Sequence, residues 1–210
     1  MHHILVMMVM VMLLTGCASE TGPKGQRELI PHPEKYAHDG YATLPDSLKP
    51  TFRPDTTVGQ VSLMNTQNIG QYLGEDIAAQ LADHKFARAT VYSQDLAQRL
   101  TLYAHPDEAA PGFSAFKVDY AEPAGRSSKT VTNDQAFETE SGVKLGMTVG
   151  DLRAIQGEPD SAAYQETTVF YYQLDSLENA DLLRRYNQPG YSAEYTFSNG
   201  YLVEFRFGFY

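Results

Sequence analysis

Cysteine is nearly absent: the 210 residues contain one, Cys17. A single thiol closes no intramolecular disulfide and builds no thiolate zinc cluster, so the fold must rely on its hydrophobic core. Basic residues are also few. Sixteen Lys and Arg stand against 26 Asp and Glu, for a net charge of −10 and a pI near 5.0. With no concentration of cations to hold phosphates, a nucleic-acid partner is excluded and a solvated acidic surface is implied. An apolar run of the roughly 20 residues that cross a bilayer as a helix is missing too. So are a nucleophile elbow, a phosphate loop and a spaced metal-ligand pattern. The expectation is a protein that is not an enzyme, with no catalytic residues, no cofactor and no metal.

Ile4–Leu14 is an almost wholly apolar run. It is too short to span and has the length of an export-signal core. It ends in Leu14-Thr15-Gly16-Cys17, which resembles a bacterial lipobox. That resemblance implies a signal peptide over residues 1–16, cleavage before Cys17, and acylation of Cys17. Several acyl chains anchor stably where one does not, because each buried CH₂ adds about 0.8 kcal/mol. Ala18 is not the Asp that retains such proteins in the inner membrane, so the expected location is the outer membrane, on its periplasmic face. The run is preceded by His2 and His3 and by no Lys or Arg.

Residues 17–55 follow as lipidated Cys and extended linker. Residues 18–55 hold six of the eleven Pro. An extended stretch of this length reaches on the order of 100 Å. His32 and His38 fall within it, and His84 and His105 later in the chain; each is read as a solvated or structural His.

Glu140–Asp160 is the most legible stretch. Val143 and Leu145 alternate with Lys144 as a short strand. Thr148 caps a helix, and Asp151 three residues on completes a capping box. Leu152 and Ile155 form its inward stripe, Gly157 ends it and Pro159 forbids continuation. Eight residues do not hold a helix in water, so it must dock on a platform. A degraded copy lies at Val61–Asp76, with Asn65 as cap, Ile69 and Tyr72 as stripe and Gly74 as stop. From this follows a two-unit α+β expectation: a first unit over 56–121, a linker over 122–136 and a second unit over 137–210. In each, a short helical segment would pack on an antiparallel sheet.

Strand signals run over Ala87–Tyr92, Gln98–Tyr103, Phe113–Tyr120 and Glu166–Gln173, with a helical excursion at Ser176–Tyr186. The chain closes with a hairpin whose aromatic positions set its register. Pairing Phe197 with Tyr201 keeps one face apolar, which predicts a three-residue loop, Ser198-Asn199-Gly200. The strand ending at Tyr210 is expected to be pinned inside the sheet.

The pattern G-x-K-L-G-M-T-x-x-x-L-x-x-I-x-G-E-P-D, followed by strands with an F-S-N-G-Y hairpin, resembles the β-lactamase-inhibitor-like fold group. That group also includes the small lipoprotein of the outer-membrane barrel-assembly machinery. The resemblance implies tandem units of a helix on an antiparallel sheet and carries no binding residues over. Three functions stay open. The first is a lipid-anchored binding or scaffolding module acting on a protein partner, in envelope assembly or by inhibition. The second is a binder of a small molecule or envelope polymer in an aromatic cleft. The third is an enzyme using carboxylates among Glu138, Glu140, Asp151, Glu158 and Asp160. The binding surface is not assignable from sequence.

Overall fold

In the computed structural model the described residues are 49–65, 69–75, 77, 88–104, 112–122, 130–175 and 180–210. The predicted signal peptide, Cys17 and all of His32, His38, His84 and His105 lie outside them.

Strands β1 (Thr57–Val58) and β2 (Val61–Ser62) form a small hairpin, followed by α1 (Ile69–Leu73). Then come β3 (Arg88–Tyr92), β4 (Gln98–Ala104) and β5 (Phe113–Tyr120), and helix α2 (Val149–Gln156). The chain ends with β6 (Ser161–Tyr164), β7 (Thr168–Asp175), α3 (Ala180–Tyr186), β8 (Gly190–Ser198) and β9 (Tyr201–Phe209). The seven strands from β3 onward make one antiparallel sheet in the order β3-β4-β5-β9-β8-β7-β6.

This overturns the two-unit α+β expectation. Strand accounts for 46% of the described residues and helix for 16%, in a single sheet rather than two. The physical reason is the last strand. β9 does not merely close a hairpin with β8; its other edge pairs with β5, placing Val118 opposite Phe205 and Phe116 opposite Phe207. The two predicted sheets are therefore hydrogen-bonded into one. Two tandem units would need each sheet to end before the other began, and the C-terminal strand sits in the middle instead.

One face of the sheet is the core. Alternation puts Val91, Leu100, Leu102, Phe116 and Val118 there from β3–β5, and Phe170, Tyr172, Tyr191, Tyr195, Phe205 and Phe207 from β7–β9. The three described helices and the β1–β2 hairpin all contribute to that single apolar cluster. Tyr186 of α3 packs on Phe209, with ring centroids 5.0 Å apart.

Local expectations fare unevenly. The α2 cap is present in both directions: Asp151 N–H donates to Thr148 Oγ1 at 3.2 Å, and Thr148 N–H to Asp151 Oδ2 at 3.0 Å. Leu152 is fully buried and Ile155 packs half-buried against the core. The Val143–Leu145 strand is absent; Lys144 makes only an isolated bridge to Glu138. The earlier copy is looser than expected. α1 starts at Ile69, and its buried positions are Ile69 and Leu73, with Tyr72 only partly covered.

The terminal hairpin corrects the predicted register. Ser198 faces Tyr201 and Phe197 faces Leu202, so the turn is the two residues Asn199-Gly200. Both have positive φ, 50° and 74°, the conformation of the hairpin turn that Asn-Gly favours. The face conflict is removed one step later. Thr196 faces Glu204, so Val203 is an extra residue on β9, and this bulge restores Tyr195 opposite Phe205. Leu202 is also held from its other side, donating to Met147 O and accepting from Gly146 N–H, both at 2.8 Å. Turn chemistry and that second partner outweigh the simple parity rule.

Candidate functional site

The carboxylates considered for catalysis are not brought together. Asp151 caps α2, Glu138 pairs with Lys144, Glu158 pairs with Arg153, and Asp160 accepts the Gln173 backbone N–H at 2.6 Å. Glu140 accepts from the Thr56 and Thr57 backbone N–H groups and from Thr56 Oγ1. Each therefore holds a turn, a cap or a neighbouring segment. Among the described residues no group of three His, Cys, Asp or Glu is placed to hold a metal.

Two other features emerge. The first is a buried polar knot under residues 49–56, a strap that crosses the core face. Phe52 stacks on Tyr172 with centroids 4.7 Å apart, and it lies 6.2 Å from Tyr191. The strap carbonyl of Pro50 runs so close to Gly157 that a Cβ there would sit 2.2 Å from the oxygen. Gly157, at φ 78°, thus serves both the helix stop and the close crossing.

Three residues later the strap buries Asp55, which is 1% exposed. Its carboxylate accepts from Ser141 N–H at 3.1 Å, Ser141 Oγ at 2.8 Å and Gln156 Nε2 at 2.9 Å. Its carbonyl accepts from Tyr191 Oη at 2.7 Å. Burial pushes the Asp55 carboxyl up to about 6; the Ser141 bonds oppose this and the nearby Glu140 charge adds to it. Burial, with the neighbouring Tyr195 and Asp55, pushes the Tyr191 phenol up. Burial and then Asp55 do the same at Tyr195. Two atoms of the knot, Gln156 Oε1 and Tyr195 Oη, have no hydrogen-bond partner among the described residues. The sequence reading placed Asp55 at the end of an extended linker. Its partners lie 86 and 101 residues away in the chain, so no local pattern marks it.

The second feature is the opposite face of the sheet, on which no described helix packs. A row of small residues, Ala115, Gly208 and Ser192, crosses three adjacent strands in register. Together with Glu194, Arg206 and Tyr210 they line an open hollow of about 210 Å³. The Arg206 guanidinium lies 5.1 Å over the Tyr103 ring, and Gln173 Nε2 donates to Tyr210 Oη at 2.8 Å. Tyr171 and Tyr210 are 39% and 51% exposed, so aromatic surface faces solvent on this side. Beside it runs a charged ladder. Arg99 forks onto Asp119, and Lys117 bridges Asp119 and Glu204 across the β5–β9 seam.

No family model, no curated protein and no solved structure matches this chain.

Proposed function

We propose that the chain is a lipid-anchored binding or scaffolding protein facing the periplasm, held to the outer membrane through acylated Cys17. It works by protein–protein contact and not by catalysis, either in envelope assembly or by inhibiting its partner. The lipobox-like Leu14–Cys17 supports the address. The observation that carries the binding role is the sheet face on which no described helix packs, along which Tyr103, Arg206, Tyr210 and Tyr171 are spread from β4 to β7. Tyr and Arg are the residue types that concentrate binding energy at interfaces, because they bring large contact area and hydrogen bonds together.

The test is site-specific photo-cross-linking in intact envelopes. A photoreactive residue at Tyr171 or Arg206 is expected to trap one defined protein, while the same residue at Tyr164, on the sheet edge, traps none. Cys17→Ser is expected to release the chain from the membrane and abolish the adduct. Equal labelling from all positions contradicts a dedicated face.

The hollow over Gly208 favours a second reading, in which the face takes a small molecule or a segment of envelope polymer. Loss of ligand-dependent tyrosine chemical shifts in Ser192→Leu, which fills the hollow from an exposed β8 position, with the protein cross-link intact, separates this reading from the first.

A further inference from the structure

We infer that the strap, residues 49–56, is a proton-operated latch over the aromatic core, closed when Asp55 is neutral and loosened when it ionises. This concerns the core face and is independent of what the opposite face binds.

The geometry carries it. Asp55 is buried with no cation in ion-pair distance among the described residues. The groups around it come from three places. The turn at 139–141 offers Thr139, Ser141 and the Glu140 carboxylate; β8 offers Tyr191 and Tyr195; and α2 offers Gln156. The charged side chains near the end of α2, Arg153 and Glu158, pair with each other. On the strap itself Arg53 is exposed and Lys49, at its start, is half-buried; neither is within ion-pair distance of Asp55. Among the described residues the charge that acts on Asp55 is Glu140, of its own sign. An ionised carboxylate here has only neutral donors to replace water. A protonated one can itself donate within a knot where Gln156 Oε1 lacks a donor.

The other holds on the strap are the Phe52 contacts with Tyr172 and Tyr191, the Tyr191 bond to Asp55 O, the bonds of Thr56 and Thr57 to Glu140, and the Leu63 N–H bond to Thr56 O at its far end. Loosening the strap would open the sheet floor at Tyr172, Tyr191 and Tyr195 without parting any strand.

The direction follows from the raised carboxyl. With about 6 in the docked strap against 3.8 for a free Asp, the docked form holds its proton more tightly. Docking is therefore strongest below about pH 4, weakens as pH rises through about 6 and then levels off. The difference in proton affinity corresponds to about a hundredfold increase in the opening constant across that window.

Amide hydrogen exchange on the full chain tests this, with rates normalised to intrinsic exchange between pH 4 and 8. Protection of Ser141, Thr56 and Thr57 is expected to fall about a hundredfold between about pH 4 and 6, with a midpoint on the logarithmic scale near pH 5, while Phe205 and Phe207 in β9 stay unchanged. Asp55→Asn keeps the shape and removes the charge, and is expected to flatten the profile. Glu140→Gln keeps an acceptor for Thr56 but sets an amide N–H₂ against Thr57 N–H, so it is read at Ser141, where the midpoint is expected to move lower. A flat wild-type profile, a slope retained in Asp55→Asn, or an unmoved midpoint in Glu140→Gln overturns the latch. So does a β9 response in step with the strap, which makes the proton linkage one of global unfolding.

Discussion

The two halves of the sheet fill the same core face with different chemistry. From β3 to β5 the buried core side chains are mainly aliphatic: Ala89, Val91, Leu100, Leu102 and Val118, with Phe113 and Phe116 on β5. From β9 to β7 they are mainly rings, with Leu202, Ala193 and Leu174 among them, and the rings touch, Phe205 on Phe207, Phe207 on Tyr191, Tyr195 on Tyr172. An aliphatic half needs no polar partner. A half floored with tyrosines brings hydroxyls into the interior, and each must find an acceptor or go unsatisfied. Tyr172 donates to Gly157 O at 2.9 Å and Tyr191 to Asp55 O, while Tyr195 finds nothing. The polar knot around Asp55 and Gln156 is thus a consequence of using tyrosine as core. It is also why the strap, and the proton-sensitive group it carries, lies over this half.

The comparison is sharpest where the halves meet, since Val118 faces Phe205 across the seam. Phe205→Ala is expected to cost about 4 kcal/mol and Val118→Ala about 2 kcal/mol, because the larger ring leaves the larger hole. If one sheet joins both halves, urea unfolding of either variant stays a single transition seen alike by tyrosine signal and by exchange in β4 and β8. Two separable transitions, with the aliphatic half surviving Phe205→Ala, would restore the two-unit picture.

Gly208 tests the same seam through the backbone. At φ 156°, its added Cβ would sit 2.2 Å from Ser114 O and 2.5 Å from Ala115 Cα. Neither neighbour is the end of a flexible side chain, so β5 and β9 must separate locally. Gly208→Ala is expected to cost about 2–3 kcal/mol by thermal melt, with exchange loss confined to Ala115 and its neighbours on β5 and β9. A cost below about 0.5 kcal/mol would mean that the seam tolerates widening and that the halves are less firmly joined than their pairing indicates.

A smaller effect separates the helices of the two halves. Thr148→Ala removes the reciprocal cap of α2 and is expected to cost about 1 kcal/mol, read from the shift in urea midpoint. This was the part of the chain most open to reading, and the reason is locality. Cap, stop and turn are decided within four residues, so Thr148, Asp151 and Gly157 announce themselves. The same is true of the strand runs at Gln98–Tyr103 and Phe113–Tyr120 as strands, although their burial does not alternate: Thr101 and Asp119 are buried on the other face and Tyr120 is exposed. Which strand lies beside which is not local. Nothing in Phe205-Arg206-Phe207 distinguishes an edge from a strand paired on both sides, and the partner it takes, β5, was assigned to another unit. The hairpin failed for a related reason: the parity rule assumed unbroken strands, and the bulge at Val203 breaks one. Asp55 was illegible because a Pro-flanked Asp looks solvated until a segment 86 residues away covers it.

On the outer face the halves are joined by charge, and this is where the weakest effect is expected. Lys117 Nζ lies 2.7 Å from Glu204 Oε2 across the seam and 3.3 Å from Asp119 Oδ2 on its own strand. Asp119 keeps a two-pronged contact with Arg99 whatever happens to Lys117. Lys117→Met removes the bridge, retains the stem's packing and leaves Glu204, a partly exposed carboxylate, to water. Ion pairs in this setting are worth about 0.5–1 kcal/mol, and raising salt from about 0.1 to about 1 M shortens the screening length to about 3 Å. The variant is therefore expected to lose about 0.5 kcal/mol at low salt and less at high salt, by urea midpoints. A loss above about 2 kcal/mol that salt does not diminish would show the ladder acting as more than a screened surface pair. The seam would then depend on its polar side as much as on Phe205 and Val118, and the contrast between an apolar inner face and a charged outer face would weaken accordingly.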